Sequence, residues 1–187
     1  IRVAVRDPAT IQEWFRMLES VSAGTGASEF VSLQHVGRRL ATHTKTVGVD
    51  SLLKHEHVIE ARVEALLAYI FETEYTVAVP SILVHAMNDG TDAQYMVIDG
   101  HHRLYALVRL GYRRIPVTVI NYYDPLIIIH PENRPEENNE NAKRALVDSA
   151  HSKHLMEPKT TKHMLSYNDK YIPVLHLSEM FFPVRQE

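Results

Sequence analysis

The sequence of 187 residues contains no cysteine. That absence excludes disulfides, thiolate metal sites and cysteine nucleophiles, and it leaves the redox compartment open. Nothing approaches the ~20 consecutive apolar residues that a membrane-crossing helix requires. No sign of charge dominates either: 20 Lys and Arg stand against 23 Asp and Glu. The balance argues against a protein held on nucleic acid by excess positive charge. No secretory or transit pattern is found in residues 1–30, so a cytoplasmic location is expected. What the chain does have is histidine, 12 in all. Scattered histidines are mostly surface residues or hydrogen-bonded partners. His151 and His154 fall on one helical face without an evident third ligand, so zinc is not expected.

The length suits one domain with an extension. Residues 1–46 are assigned to a helical N-terminal extension. "DPATIQEWFRMLESV" offers Asp7 as N-cap and Pro8 at the first helical position, followed by Ile11, Trp14, Phe15, Leu18 and Val21 at helical spacing. "FVSLQHVGRRLATH" reads as a second, weaker helix. Residues 47–187 form the main domain, beginning with a short strand near 47–49. "HVIEARVEALLAYIFE" is a helix, and "TVAVPSILVHAM" is a strand bent at Pro80. "NDGTDAQ" turns the chain into the buried strand "YMVI". A helix ended by Gly111, the strands "IPVTVINY" and "PLIIIH", and the helix "NAKRALVDSAHS" follow, with a closing hairpin that turns at Asn168-Asp169. Helices and strands alternate irregularly, which predicts an α+β fold with a small mixed sheet.

The most informative stretch is "VIDGHHRLYALVRLGYRRIPVTVINY", residues 97–122. An apolar strand breaks at Asp99-Gly100, and His101, His102 and Arg103 open a helix. Gly100 permits a tight strand-to-helix turn and a close approach by another group. The first N–H groups of a helix have no internal acceptor and lie at the positive end of its dipole, where an anion is favoured. Arg103 is placed to add a bidentate clamp on phosphate. Asp99 is placed either to hold Mg²⁺ or to orient a reacting hydroxyl. The bland alternative, an Asp N-cap with surface histidines, suits an isolated Asp-Gly better than this run of five. The cluster therefore points to phosphate binding.

These residues resemble the phosphate-binding core of the ParB/sulfiredoxin-like superfamily. Within it, the double histidine and "LGYRRIPV" are similar to the free L-serine kinases, which make O-phosphoserine with ADP or ATP as donor. Two more segments fit that branch, in the family's order. "LLKHEHVIEARVEAL" resembles the segment bearing the catalytic glutamate, which falls on Glu56, and "EPKTTKH" resembles a proline-lysine-threonine-threonine-arginine-histidine segment over Pro158 to His163. The resemblance spans roughly residues 47–180. It departs at Glu157, where a second proline is common, at Lys162, where arginine is expected, and at "FETEY", which replaces a glycine-containing turn. Lysine keeps the charge at 162 and loses the planar fork.

The resemblance implies that Glu56 is the general base toward the serine hydroxyl. It puts Asp99 beside Mg²⁺ or that hydroxyl, and the donor phosphates on Gly100, His101, His102 and Arg103. His102 is a second candidate for contact with the transferred group. Thr160, Thr161, Lys162 and His163 are then expected at the amino acid's carboxylate or the product phosphate. The expected partners are a nucleotide and free L-serine, with no nucleic acid and no membrane. Sulfiredoxin chemistry needs a cysteine, and partition proteins of the ParB type need a further DNA-binding domain. A regulator that binds nucleotide or another ligand without turnover, or a DNA-associated protein on the same fold, is the competing reading.

Overall fold

The computed structural model describes residues 40–72, 77–88, 92–130, 139–158, 160–168, 170–178 and 181–184. The helix expected over residues 7–21, and residues 30–39 of the second expected helix, lie outside them. Ten strands are present among the described residues: β1 (Ala41–Gly48), β2 (Leu52–Leu53), β3 (Val77–Pro80), β4 (Ile82–Ala86), β5 (Tyr95–Asp99), β6 (Arg114–Ile120), β7 (Ile127–Ile129), β8 (His163–Tyr167), β9 (Lys170–Pro173) and β10 (Phe181–Val184). The helices are α1 (Glu60–Glu72), α2 (His101–Arg109) and α3 (Asn139–Ser152).

A five-stranded mixed sheet in the order β1-β6-β4-β5-β2 organises the domain. β1 pairs antiparallel with β6, β4 parallel with β6, β4 antiparallel with β5, and β2 parallel with β5. A three-stranded sheet β7-β8-β9 and the pair β10-β3 complete it. Two readings are corrected here. Residues 41–43 are strand, not helix, and β1 runs from Ala41 to Gly48 against the whole of β6. The sheet therefore takes in residues that the sequence suggested for the extension. The segment "ATHTKTVG" is polar throughout residues 42–46 and rich in β-branched Thr, which suits a strand at the edge of the sheet. The stretch through Pro80 is two strands, interrupted at Ser81, which pair with different partners. Proline has no N–H for the ladder, so the chain changes sheet there.

Both faces of the central sheet are buried. Successive residues of β5 alternate between two cores: Tyr95 and Val97 point to one, Met96 and Ile98 to the other. The first core packs Val84, Val117 and Val119 against Ile70 of α1 and Leu104 and Leu107 of α2. The second packs Leu83 and Ile120 against Leu146 and Ala150 of α3 and Leu165 of β8. α1 and α2 meet through Val63, Leu67 and Ala106. α2 ends as expected at Gly111, which has φ +86°. The Gly111 and Tyr112 N–H groups reach back to the Val108 and Leu107 carbonyls at 3.0 and 3.1 Å, which satisfies two carbonyls of the last turn. The β8–β9 hairpin turns at Asn168, in the left-handed region at φ 49°.

Candidate active site

β5 delivers Asp99 to the mouth of a turn whose pivot is Gly100, at φ +102° and ψ 22°. A Cβ there would lie 2.9 Å from both Arg103 Nη2 and Ile82 Cδ1, so the position demands glycine on grounds of conformation and of space. Gly100, and not Asp99, is the N-cap residue of α2, and no side chain caps it. The Gly100 carbonyl accepts the Leu104 N–H at 2.8 Å, so the helix is formed from its first turn.

Arg103, expected on phosphate, is instead turned inward and buried. Its Nη1 donates to the carbonyls of Pro80 and Ser81 at 3.0 and 3.3 Å, and its Nη2 is paired with Asp99 Oδ2. The physical reason is local. The β3–β4 break leaves buried carbonyls facing α2, and a guanidinium one turn into the helix satisfies them. The Asp99 side chain is 38% exposed, which leaves it accessible at the mouth of the turn while Arg103 anchors it.

His101 lies beneath that mouth. Its ring packs edge-on against His55 with centroids 4.6 Å apart, and its Nε2 is buried without a hydrogen-bond partner among the described residues. His55 in turn lies 5.8 Å from His163, whose Nε2 is 2.9 Å from the Tyr122 hydroxyl. Burial lowers the pKa of all three histidines, His55 to about 4, with His101 and His163 well below the ordinary value. At His101 the neighbouring His55, His163, His102 and Lys54 lower it further. All three are neutral at neutral pH.

Glu56 is buried beside this cluster, and its Oε2 accepts a hydrogen bond from Thr161 Oγ1 at 2.5 Å. Thr161 Oγ1 also lies 3.1 Å from His55 Nε2. The backbone holds the same segment in place. His57 N–H donates to the Met156 carbonyl at 2.9 Å and Met156 N–H to the His55 carbonyl at 2.8 Å, so residues 55–57 run as a single parallel bridge beside Met156. His102 Nε2 accepts the Ile59 N–H at 3.0 Å and ties the entry to α1 onto α2. His55 and His57 part company: the first is fully buried and the second exposed.

Of the last expected group, Thr161 and His163 enter the cluster and the other two do not. Thr160 Oγ1 donates to the Glu157 carbonyl at 2.8 Å within its own turn. Lys162 is exposed, and its carbonyl accepts the His130 N–H at 2.8 Å. Three residues were not foreseen. Lys54 Nζ lies 3.3 Å from the Tyr105 hydroxyl and 4.6 Å over its ring. Tyr122 anchors His163, and buried Lys143 lies 5.3 Å over the Tyr122 ring while donating to the Asp124 carbonyl at 3.1 Å. Burial brings Lys143 down to about 8. A lysine on the apolar face of the α3 pattern, between Ala142 and Leu146, was the available signal.

Among the described residues no group of three or more His, Asp or Glu could by itself hold a metal ion, and no helix is long and apolar enough to cross a membrane. Asp99 is a hard oxygen donor at an open mouth, and Mg²⁺ commonly takes one or two carboxylates together with substrate phosphates. Asp99 Oδ2 is taken by Arg103, so Oδ1 is the carboxylate oxygen that could reach a magnesium ion.

No protein-family model matches the chain. It is 39% identical over 77 residues to an ATP-dependent L-serine kinase of Desulfurococcus mucosus, a match covering 41% of this chain and 29% of that protein. Over 78 residues it is 38% identical to the protein of the same name from Staphylothermus marinus, covering 42% and 29%. The matched region is thus under a third of the length of these curated relatives. Among solved structures, a conserved hypothetical protein from Pyrococcus furiosus superposes with a TM-score of 0.54 at 15% identity, covering 78% of this chain and 97% of that one. A free serine kinase in complex with AMP superposes with a TM-score of 0.50 at 15% identity, covering 72% and 93%. The α+β fold expected from the motifs is found, and it is the fold of these solved structures.

Proposed function

From the kinship of this chain with the free L-serine kinases, we propose that it transfers a phosphoryl group from a nucleotide to free L-serine, giving O-phospho-L-serine. One observation carries the reading. Three segments resembling that family, distant in sequence, meet in one place. His55 packs on His101, Thr161 bonds Glu56 across 105 positions, and His102 holds the backbone at Ile59.

In this reading the Glu56 carboxylate accepts the proton of the serine hydroxyl as its oxygen attacks the terminal phosphorus. The bond from that phosphorus to the nucleotide's bridging oxygen breaks, and the nucleotide leaves one phosphate shorter. The donor phosphates rest on the first N–H groups of α2 and on His101, which being neutral supplies hydrogen bonding rather than charge. Arg103 braces the turn from within, so positive charge comes from Lys54, held beside His101 by Tyr105. Asp99 would hold Mg²⁺, which when bound neutralises charge on the phosphates. Phosphoryl transfer is chiefly positioning and charge neutralisation, and this inventory meets both needs. Both substrates are small and water-soluble, in keeping with a cytoplasmic reaction.

The test is an assay for O-phosphoserine with Mg²⁺ and L-serine, run in parallel with ADP and with ATP. Product with either donor is the expected result and identifies the donor. Nucleotide binding without product under both conditions would overturn the kinase reading in favour of a ligand-binding regulator.

A further inference from the structure

Thr161 stands in a segment whose polar residues are natural candidates for substrate contact, yet its hydroxyl is committed elsewhere. It is only 6% exposed and lies between two buried groups, Glu56 Oε2 at 2.5 Å and His55 Nε2 at 3.1 Å. A hydroxyl has one proton to give and lone pairs to receive. An ionised carboxylate can only accept, so the Thr161 proton goes to Glu56 and the hydroxyl oxygen keeps its lone pairs toward His55 Nε2. The Val97 backbone carbonyl also bonds the His55 ring. The histidine is itself fixed by rings on two other elements, His101 of α2 and His163 of β8.

We infer that Thr161 is a positioning residue for the Glu56 carboxylate, oriented by His55, and is not a ligand of the amino-acid substrate. The inference rests on the kinase reading for its catalytic consequence, and on the hydrogen-bond geometry alone for its structural content. The hydroxyl holds one carboxylate oxygen so that the group meets the substrate in a fixed orientation, and it favours the ionised form of the base. The titratable neighbours in this cluster are His55, His101 and His163, neutral through burial, together with His102 beside His101 and Tyr122 on His163; Lys54 and Lys143 are the cations acting on His101 and His163.

The test compares Thr161→Val, which keeps shape and removes the hydroxyl, with Thr161→Ser, which keeps the hydroxyl, in the full chain. In Thr161→Val the acid limb of the kcat profile should move up by about one pH unit. In the same variant kcat should fall about tenfold, with KM for serine changed less than about twofold. Thr161→Ser should restore both to within about threefold of wild type. A titration of the Glu56 carboxyl carbon by NMR needs no turnover and should show the same upward move in Thr161→Val. It separates failure of this inference from failure of the kinase reading. Should Thr161→Val not fold, Thr161→Ala carries the same expectation. An unmoved Glu56 titration and pH limb, or a tenfold rise in KM at unchanged kcat, would overturn the positioning role.

Discussion

α2 serves two neighbouring regions that are built by different rules. Leu104 and Leu107 enter an apolar layer with Val84, Val97 and Ile115, where contacts have no direction and each fully buried side chain contributes about 1.5–3 kcal/mol. His101, one turn earlier, enters a polar seam with His55, Glu56, Thr161, His163 and Tyr122. There directional hydrogen bonds link Glu56 to Thr161 and His163 to Tyr122, and His101 Nε2 is buried without a hydrogen-bond partner among the described residues. The first region is paid for by burial and tolerates exchange of similar shapes. The second depends on protonation states and single hydrogen bonds. In the proposed reaction the seam would supply the fixed directions, and the apolar layer holds it in place.

Acid should separate the two regions most sharply. Histidines buried neutral have folded pKa values below the unfolded value of about 6.5, so between the two the unfolded chain binds more protons. Stability is therefore full above about pH 6.5 and is lost as the pH falls toward the folded pKa. For His55, at about 4, the loss is roughly 3 kcal/mol, and His101 and His163 act in the same direction. Denaturant unfolding at stepped pH values measures it. A flat profile from pH 7 to 4.5 would mean that the seam is not held neutral.

The anchor between the regions comes next. Arg103→Met should destabilise by about 2–3 kcal/mol, because two buried carbonyls lose their donor and Asp99, being partly exposed, adds less. Arg103→Lys should recover only part of this, since an ammonium cannot reproduce the fork. Were Arg103 a phosphate ligand instead, Arg103→Met would leave stability within about 0.5 kcal/mol and remove nucleotide binding. The smallest effect belongs to the apolar layer. Ile115→Val, at a fully buried position of β6, should cost about 1 kcal/mol and leave nucleotide affinity unchanged.

The same division explains what could be read from the sequence. The strand–glycine–helix turn at 97–109, the burial of β5 and the stop at Gly111 follow from local pattern, and they hold. β1 was hidden because residues 42–46 are all polar and show no period-two alternation, and its partner β6 lies some seventy positions away in sequence, so nothing nearby signals the pairing. The motifs singled out Glu56, His101 and Thr161 as candidates, which the fold brings together. They could not reveal that Thr161 bonds Glu56, a contact across 105 positions, or that Arg103 serves carbonyls exposed by the break at Ser81. Residue type indicates which chemistry is available at a site. Direction comes from tertiary packing, and the inward turn of Arg103 is the plainest instance.

The most direct test of the account is Glu56→Gln, assayed for O-phosphoserine formation alongside nucleotide binding. The substitution removes the proton acceptor with little change in volume. The account predicts that turnover falls by about 10²–10⁴-fold while nucleotide affinity stays within about threefold. Wild-type turnover in Glu56→Gln, or a loss of nucleotide binding as large as the loss of turnover, would contradict it.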